Sequence, residues 1–443
     1  MNRIVTDTSL NCNSKIKISF DGGELSSDSG LLLFKEFAEK MDVTNLIKQK
    51  FHTNDPGHTR FHKDYENLMQ YIYQIFGAYY ADDNADELKN DPIFTTVMDK
   101  DTLASQPTLS RFINRTDGDT LEQLNEIFKE LRKRAYSVEK PKQVLFDIDT
   151  TLSDTYGKQE GSAFNYHYKA YGYHPFLCFD AFTGDLIKAV LRNGSEYCCK
   201  NVAEHMRPVL DEYVTEYPGI DLFLRGDSGF ATDELYSLCE EYDVQYAIRL
   251  KENSVLHRLC SEFEEELYQK TTANVIDYAV VYGEFEYKAK SWETARRVAC
   301  KIEKPYNQMT YLYTFVVTNL LELSSKDVIS VYCKRGAMEN LIKECKNGFD
   351  FRYASSSTMV VNANRLQIHG LAYNLFNWMR RLTFPKSLQK ARIDTIRIKL
   401  VKIASRVVHK ARYIYFKLCS SCPYKEEFLT VLENIAGLRP LLT

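Results

Sequence analysis

Two aspartates close short apolar runs in this sequence. Val144-Leu-Phe-Asp-Ile-Asp149 and Leu222-Phe-Leu-Arg-Gly-Asp227 each read as a buried strand whose C-terminal end carries an acid. Ends of adjacent strands are rigid positions. Carboxylates converging there could hold a pair of divalent cations about 3.5–4 Å apart for phosphoryl chemistry. An acid at a strand end also serves as an ordinary turn or capping residue. Asp147 lies two residues before Asp149 and shares its strand face, so the first run offers two candidate acids.

A third carboxylate is marked by its neighbours. Tyr332, Arg335, Glu339 and Lys346 follow one another at intervals of three, four and seven. At about 3.6 residues per turn these positions share one helix face. Glu339 could bind a metal there while the flanking cations hold phosphates. A solvated Arg–Glu pair at i,i+4, worth roughly 0.3–0.5 kcal/mol, accounts for part of the same spacing. Glu344 lies about 140° further around the helix and lacks the flanking pattern.

The Y-(2)-R-(3)-E-(6)-K spacing of Tyr332, Arg335, Glu339 and Lys346 resembles the signature of the IS4-type DDE transposases. Other segments look like the IS1380 family of insertion-sequence transposases. They are Ser105-Gln-Pro-Thr-Leu-Ser-Arg111, Asp147-Ile-Asp-Thr-Thr151, Gly157-Lys-Gln-Glu160 with Tyr171-Gly-Tyr-His-Pro175, Arg225-Gly-Asp-Ser-Gly-Phe230 and Leu371-Ala-Tyr-Asn-Leu375. The resemblance covers almost the whole chain. It implies an α/β fold: an RNase H-like catalytic core with a β-rich insertion between the second Asp and the Glu, plus a mainly helical N-terminal domain. It also implies a DNA transposase that cleaves the terminal inverted repeats of an insertion sequence and joins them to target DNA by two-metal DDE chemistry. Asp149 (or Asp147), Asp227 and Glu339 would be the catalytic, metal-holding acids. The cofactor would be two Mg2+ ions, with Mn2+ able to substitute. Tyr332, Arg335 and Lys346 would contact transposon-end DNA. An aromatic of the insertion stacks on a flipped base in related enzymes, and Trp292 is the candidate. The partners would be double-stranded DNA, as inverted-repeat ends and target, and a second copy of the chain in a homodimer on paired ends.

The elements that must position these residues follow from periodicity. Residues 1–140 read as mainly helical, a DNA-binding or dimerisation region, after a short strand near Ile16–Phe20. Gln106-Pro-Thr-Leu-Ser-Arg-Phe112 resembles the start of a helix-turn-helix recognition helix. Residues 141–255 and 326–382 read as the core: strand–helix–strand, then helices over 325–348 and 358–382. Residues 256–325 alternate in the manner of a β-rich insertion, and 383–443 form a basic C-terminal region.

Composition bounds the rest. The 443 residues carry a net charge of -3, which excludes an indiscriminate polybasic binder but not a local basic patch. Residues 379–417 hold twelve lysines and arginines against one acid, Asp394, with Tyr413, Tyr415 and Phe416 interleaved; this reads as a surface for DNA phosphates. No run of about 20 apolar residues or signal peptide is visible, so a cytoplasmic, nucleoid-associated prokaryotic protein without membrane contact is expected. Eleven irregularly spaced cysteines read as reduced thiols. A rival reading takes Asp147-Ile-Asp149-Thr-Thr151 as the D-x-D-x-T motif of HAD-type phosphatases, with Asp147 as nucleophile and Asp149 as acid/base. It leaves the Tyr332–Lys346 pattern unexplained. A third reading is a transposase-derived DNA-binding protein that has lost its chemistry.

Overall fold

The structure, a computed structural model, describes residues 8–55, 57, 59–273, 278–308 and 310–442. The chain divides into two compact units. One comprises the chain through Glu139 together with everything from Gln367, and the other is Lys140–Leu366.

In the first unit, β1 (Thr8–Leu10) and β2 (Asn13–Ile18) form an exposed hairpin, and β3 (Leu25–Ser26) follows. Seven helices come next: α1 (Leu31–Lys40), α2 (Val43–Lys50), α3 (Asp64–Phe76), α4 (Asn84–Leu88), α5 (Pro92–Val97), α6 (Gln106–Ile113) and α7 (Gly118–Val138). Helix α3 is buried almost all round, so it is the centre of this unit. Asp117 caps α7 by accepting from the Thr120 N–H at 3.0 Å. The connection between α5 and α6, Met98 to Ser105, is longer than the three or four residues of a helix-turn-helix.

The second unit holds the large sheet. Its elements are β4 (Gln143–Thr150), β5 (Ser153–Asp154), β6 (Ala163–Asn165), β7 (Ala170–Tyr173), β8 (Phe176–Asp180), β9 (Leu186–Val190), α8 (Val202–Glu216), β10 (Asp221–Gly226), α9 (Asp233–Glu241), β11 (Gln245–Leu250), α10 (Ser254–Leu259), α11 (Ser261–Ala273), β12 (Ala279–Tyr287), β13 (Arg296–Lys304), β14 (Leu312–Thr318), α12 (Ser325–Cys333) and α13 (Gly336–Gly348). The sheet has eight strands in the order β12-β13-β14-β11-β10-β4-β8-β9. β4 pairs in parallel with β10, and β10 with β11; every other neighbouring pair is antiparallel.

Strand periodicity decides which face meets which helix. Phe146 and Tyr246 lie on one face, against Tyr213 of α8 and Tyr236 of α9, with ring centroids 5.0 and 5.3 Å apart. Asp147, Arg225 and Ala247 are register partners on the opposite face. There Ala247, Ala299 and Val316 pack with Val328 and Ile329 of α12.

The region expected as a β-rich insertion differs in two ways. Its first part is helical, as α10 and α11. Its strands β12, β13 and β14 do not fold apart but continue the large sheet, because β14 pairs with β11 and covers that strand's open edge. The first alternating stretch of that region forms one strand, β12, and 274–277 lie outside the described residues.

Helix α14 (Met359–Thr383) runs from the second unit into the first. α15 (Ile393–Ile396), a short π-helical stretch, a β15 (Ser405–Lys410) to β16 (Tyr413–Leu418) hairpin and α16 (Lys425–Gly437) complete the chain. The basic stretch 379–417 is not one surface. Arg380 is buried and donates to the Ala391 carbonyl and Asn377. Arg397 is buried and donates to the Ile75 and Phe76 carbonyls at the C-terminal end of α3. Among the described residues no helix is long and apolar enough to cross a membrane, and all eleven cysteines are unbridged.

Candidate active site

Asp149 and Asp227 meet because β4 and β10 are parallel neighbours. Gly226 is the register partner of Ile148, so the next residue on each chain is the acid. Asp149 Oδ1 accepts from the Thr150 N–H at 2.7 Å. Asp227 Oδ1 accepts from the Gly229 N–H at 2.8 Å and so opens a single 3-10 turn, Ser228–Phe230. Burial pushes the Asp149 carboxyl up to about 6; Arg335 and the Thr150 N–H pull the other way, and the charges of Asp227 and Asp147 add to the rise. The sheet therefore brings two carboxylates together, in a place that disfavours the charge of Asp149.

Asp147 has a different role from Asp149. Its side chain is 0% exposed, and both of its oxygens are taken by Arg225, 2% exposed, through Nε at 3.0 Å and Nη2 at 2.6 Å. Burial pushes the Asp147 carboxyl above its usual range, against the hydrogen bond and charge of Arg225. The remaining arm of Arg225, Nη1, donates to the Val331 carbonyl of α12 at 2.7 Å. This bidentate pair joins β4, β10 and α12. Arg225 is a residue that the sequence reading passed over. Its signal was a lone arginine inside an apolar strand, Leu222-Phe-Leu-Arg225, with a lone inward acid, Asp147, on another.

Tyr332, Arg335, Glu339 and Lys346 do not share one helix face. The helix expected over 325–348 is broken at Lys334 and Arg335, next to Gly336, a poor helix former. Arg335 caps α13 and turns towards the sheet. Its Nη2 lies 2.9 Å from Asp149 Oδ2 and donates to the Ile148 carbonyl at 3.0 Å, while its Nε is buried without a hydrogen-bond partner. Glu339 stands in the first turn of α13, is 72% exposed and lies 3.7 Å from Lys343. A carboxylate in that turn suits the helix dipole. Lys346 Nζ donates to Thr151 Oγ1 at 3.2 Å, just beyond the end of β4. Tyr332 packs against the α12 cluster, with its hydroxyl pushed up by burial.

Two further side chains line the acids. The Tyr168 hydroxyl donates to the Thr150 carbonyl at 3.1 Å, and burial, with the charge of Asp149, pushes it up to about 12. Cys198 Sγ lies 3.5 Å from Thr150 Oγ1. Neither carried a spacing signal, because both reach the site from loops of the second unit.

Trp292 is not a free stacking surface. It is 6% exposed and sits edge-on to Tyr236 and Tyr287, with centroids 5.1 and 5.3 Å away, and the Arg296 guanidinium lies 5.6 Å from its ring. Arg296 is held by Asp233 and Glu240. The indole thus closes a packed cluster in the β12–β13 connection. Trp292→Ala should cost roughly 3–5 kcal/mol, as large-to-small core changes do. Chemical denaturation should show that loss, and DNA affinity of the folded fraction should stay within about twofold.

For a divalent cation the residues present would fit in part. Asp149 and Asp227 supply hard oxygen donors from rigid positions, of the kind Mg2+ takes. The third donor is not with them. Among the described residues no three His, Cys, Asp or Glu side chains are grouped to hold a metal. The positive charge beside Asp149 is that of Arg335.

Residues 8–440 match the family described as Transposase DDE domain group 1. No curated protein matches. Among matching solved structures is piggyBac transposase in a synaptic complex with hairpin DNA, determined by cryo-EM; it is 14% identical, over 85% of this chain and 80% of that one, with a TM-score of 0.39. By the match to nearly its whole length, this chain belongs to the DDE transposase family, domain group 1.

Proposed function

We propose that the chain is an insertion-sequence transposase of the IS1380 type, among the IS4-type enzymes, that cleaves the terminal inverted repeats of its element and joins the freed ends to target DNA. The observation that carries this reading is the pairing of Asp149 with Asp227 at the ends of adjacent parallel strands in a chain of this family. The order β9-β8-β4-β10-β11, with the first three strands antiparallel and the last three parallel, supports an RNase H-like core. Asp149, Asp227 and Glu339 would hold two Mg2+ ions, with Mn2+ able to substitute. When bound, such ions activate the attacking oxygen and stabilise the leaving one.

The chain's own residues do the positioning. The Asp147–Arg225 pair fixes the floor of the site and the end of α12. Arg335 balances the charge of Asp149. Glu339 would have to turn inward from the solvent side of α13 to join the two aspartates in holding cations, and Lys346, with Tyr332 and Arg335, would meet the phosphates of the transposon end. Double-stranded DNA is the substrate, as ends and as target, and two copies of the chain would act on paired ends. The HAD-type reading needs a free Asp147, and the ion pair with Arg225 counts against it.

The test uses the purified full chain with duplexes carrying the element's inverted repeats. Strand cleavage at the ends in Mg2+, lost in EDTA and restored by Mn2+, is the expected result. End binding without cleavage under all these conditions would favour the retired DNA-binding reading.

A further inference from the structure

The β15–β16 hairpin divides its residues between two unlike faces. Its register pairs Arg406 with Lys417, Val408 with Tyr415 and Lys410 with Tyr413. Side chains alternate along a strand, so all six of these residues fall on one face. The other face carries Val407, buried, and Phe416, half-buried, and towards the tip His409, which pairs with Glu24, and Ile414, both exposed. Arg412, in the turn, adds a fourth cation, and residues 405–418 contain no acid at all.

This face has nothing on it in the described structure. Tyr413 is 67% exposed and Tyr415 45%. β16 is the edge of its small sheet, and β15 pairs with β3 only at Ser405 and Arg406. From Val408 to Tyr415 the hairpin is a two-stranded ribbon without a neighbouring strand. Among the described residues none of its four Lys and Arg side chains makes an ion pair. Two large tyrosines beside unneutralised cations make a poor solvated face but a good anionic docking surface.

We infer that this ribbon docks double-stranded DNA, its cations on phosphates and its tyrosines on the groove wall. The shape suits a duplex. A two-stranded ribbon fits the major groove, about 12 Å wide. Arg406 and Lys410 lie four residues apart, about 13 Å at strand rise, so the base and the tip of the ribbon reach different phosphates. The inference shares with the proposed function only the expectation that DNA is the partner, since the ribbon contains none of the acids.

The experiment is equilibrium binding of a fluorescent 30-base-pair duplex to the full chain, without divalent cations, across a salt series. The variant is Arg406→Gln, Lys410→Gln, Lys417→Gln, and the control removes three exposed lysines elsewhere, Lys290→Gln, Lys326→Gln, Lys425→Gln. We expect at least a tenfold loss for the ribbon variant at moderate salt, with the slope of log K against log salt shallower by about 2 to 3, since each phosphate contact contributes roughly 0.9. Tyr413→Ser with Tyr415→Ser should weaken binding severalfold and leave the slope unchanged. If the charge variant fails to fold, Lys410→Gln with Arg412→Gln at the tip reads the same slope. A ribbon variant within twofold of the control overturns the inference. So does a loss confined to single-stranded DNA of the same length. Ribbon-dependent binding by a protein that never cleaves would support the inference while sinking the catalytic reading, so the two fail separately.

Discussion

Asp227→Asn and Asp149→Asn should each lower end cleavage by at least about three orders of magnitude, a barrier increase of roughly 4 kcal/mol, while leaving the protein folded and bound to DNA. Both substitutions keep the oxygen that accepts from the neighbouring backbone N–H, of Gly229 in one case and Thr150 in the other. What they remove is negative charge at the point where two carboxylates are forced together. At Asp149 that charge burdens the folded state, because burial and the neighbouring acids already push its carboxyl up to about 6. The thermal midpoint of Asp149→Asn should therefore be unchanged or raised, despite the loss of its charge pair with Arg335. Loss of cleavage without loss of stability is the mark of a residue kept for chemistry. Glu339→Gln is the informative third member. Its side chain faces solvent beside Lys343, so only an inward turn of α13 gives it a catalytic role. Full cleavage by Glu339→Gln, with none by the two aspartate variants, would move the third ligand to another acid such as Glu344. Cleavage left intact by the aspartate variants themselves would remove the site.

The legible and illegible parts of this molecule differ in the range of the interactions that decide them. Apolar runs ending in Asp149 and Asp227 could be read as strands because strand burial is written in local composition. Their parallel pairing could not be read, since register between β4 and β10 depends on contacts far apart in sequence. The same gap hid the partnership of Asp147 with Arg225 and left two candidate acids on one strand. Periodicity failed in a specific way at Tyr332–Lys346. The 3.6-residue spacing continues through Lys334 and Arg335, yet the helix stops there and Arg335 leaves the common face for Asp149. Alternation identified strands in 279–318 but carried nothing about whether they stand apart or extend a sheet. Bare composition misled at 379–417, where it counted Arg380 and Arg397 with the surface cations although both satisfy carbonyls inside their unit. Trp292 looked available only because one aromatic letter says nothing about its neighbours.

The largest effect on stability should come from separating Asp147 and Arg225. Asp147→Ala leaves a guanidinium at 2% exposure with no carboxylate, and Arg225→Ala leaves a carboxylate at 0% exposure with only Arg335 Nε, 3.9 Å away, as a cation. Breaking a buried pair from one side costs about 3–5 kcal/mol, because an uncompensated charge stays behind. Urea unfolding of the second unit should show that loss for either single variant. Asp147→Leu with Arg225→Met should recover most of it, since apolar replacement of both partners removes the stranded charge while filling the space. The double variant then separates stability from placement. It still lacks the Nη1 bond to the Val331 carbonyl, which holds the last turn of α12 just before the break that releases Arg335 towards Asp149. A stable double variant with end cleavage reduced about tenfold or more would mark Arg225 as a positioning residue. Full cleavage would limit the pair to stability. Single variants that lose less than about 1 kcal/mol would mean that water reaches this pair, and Asp147 would again compete with Asp149 as the first acid.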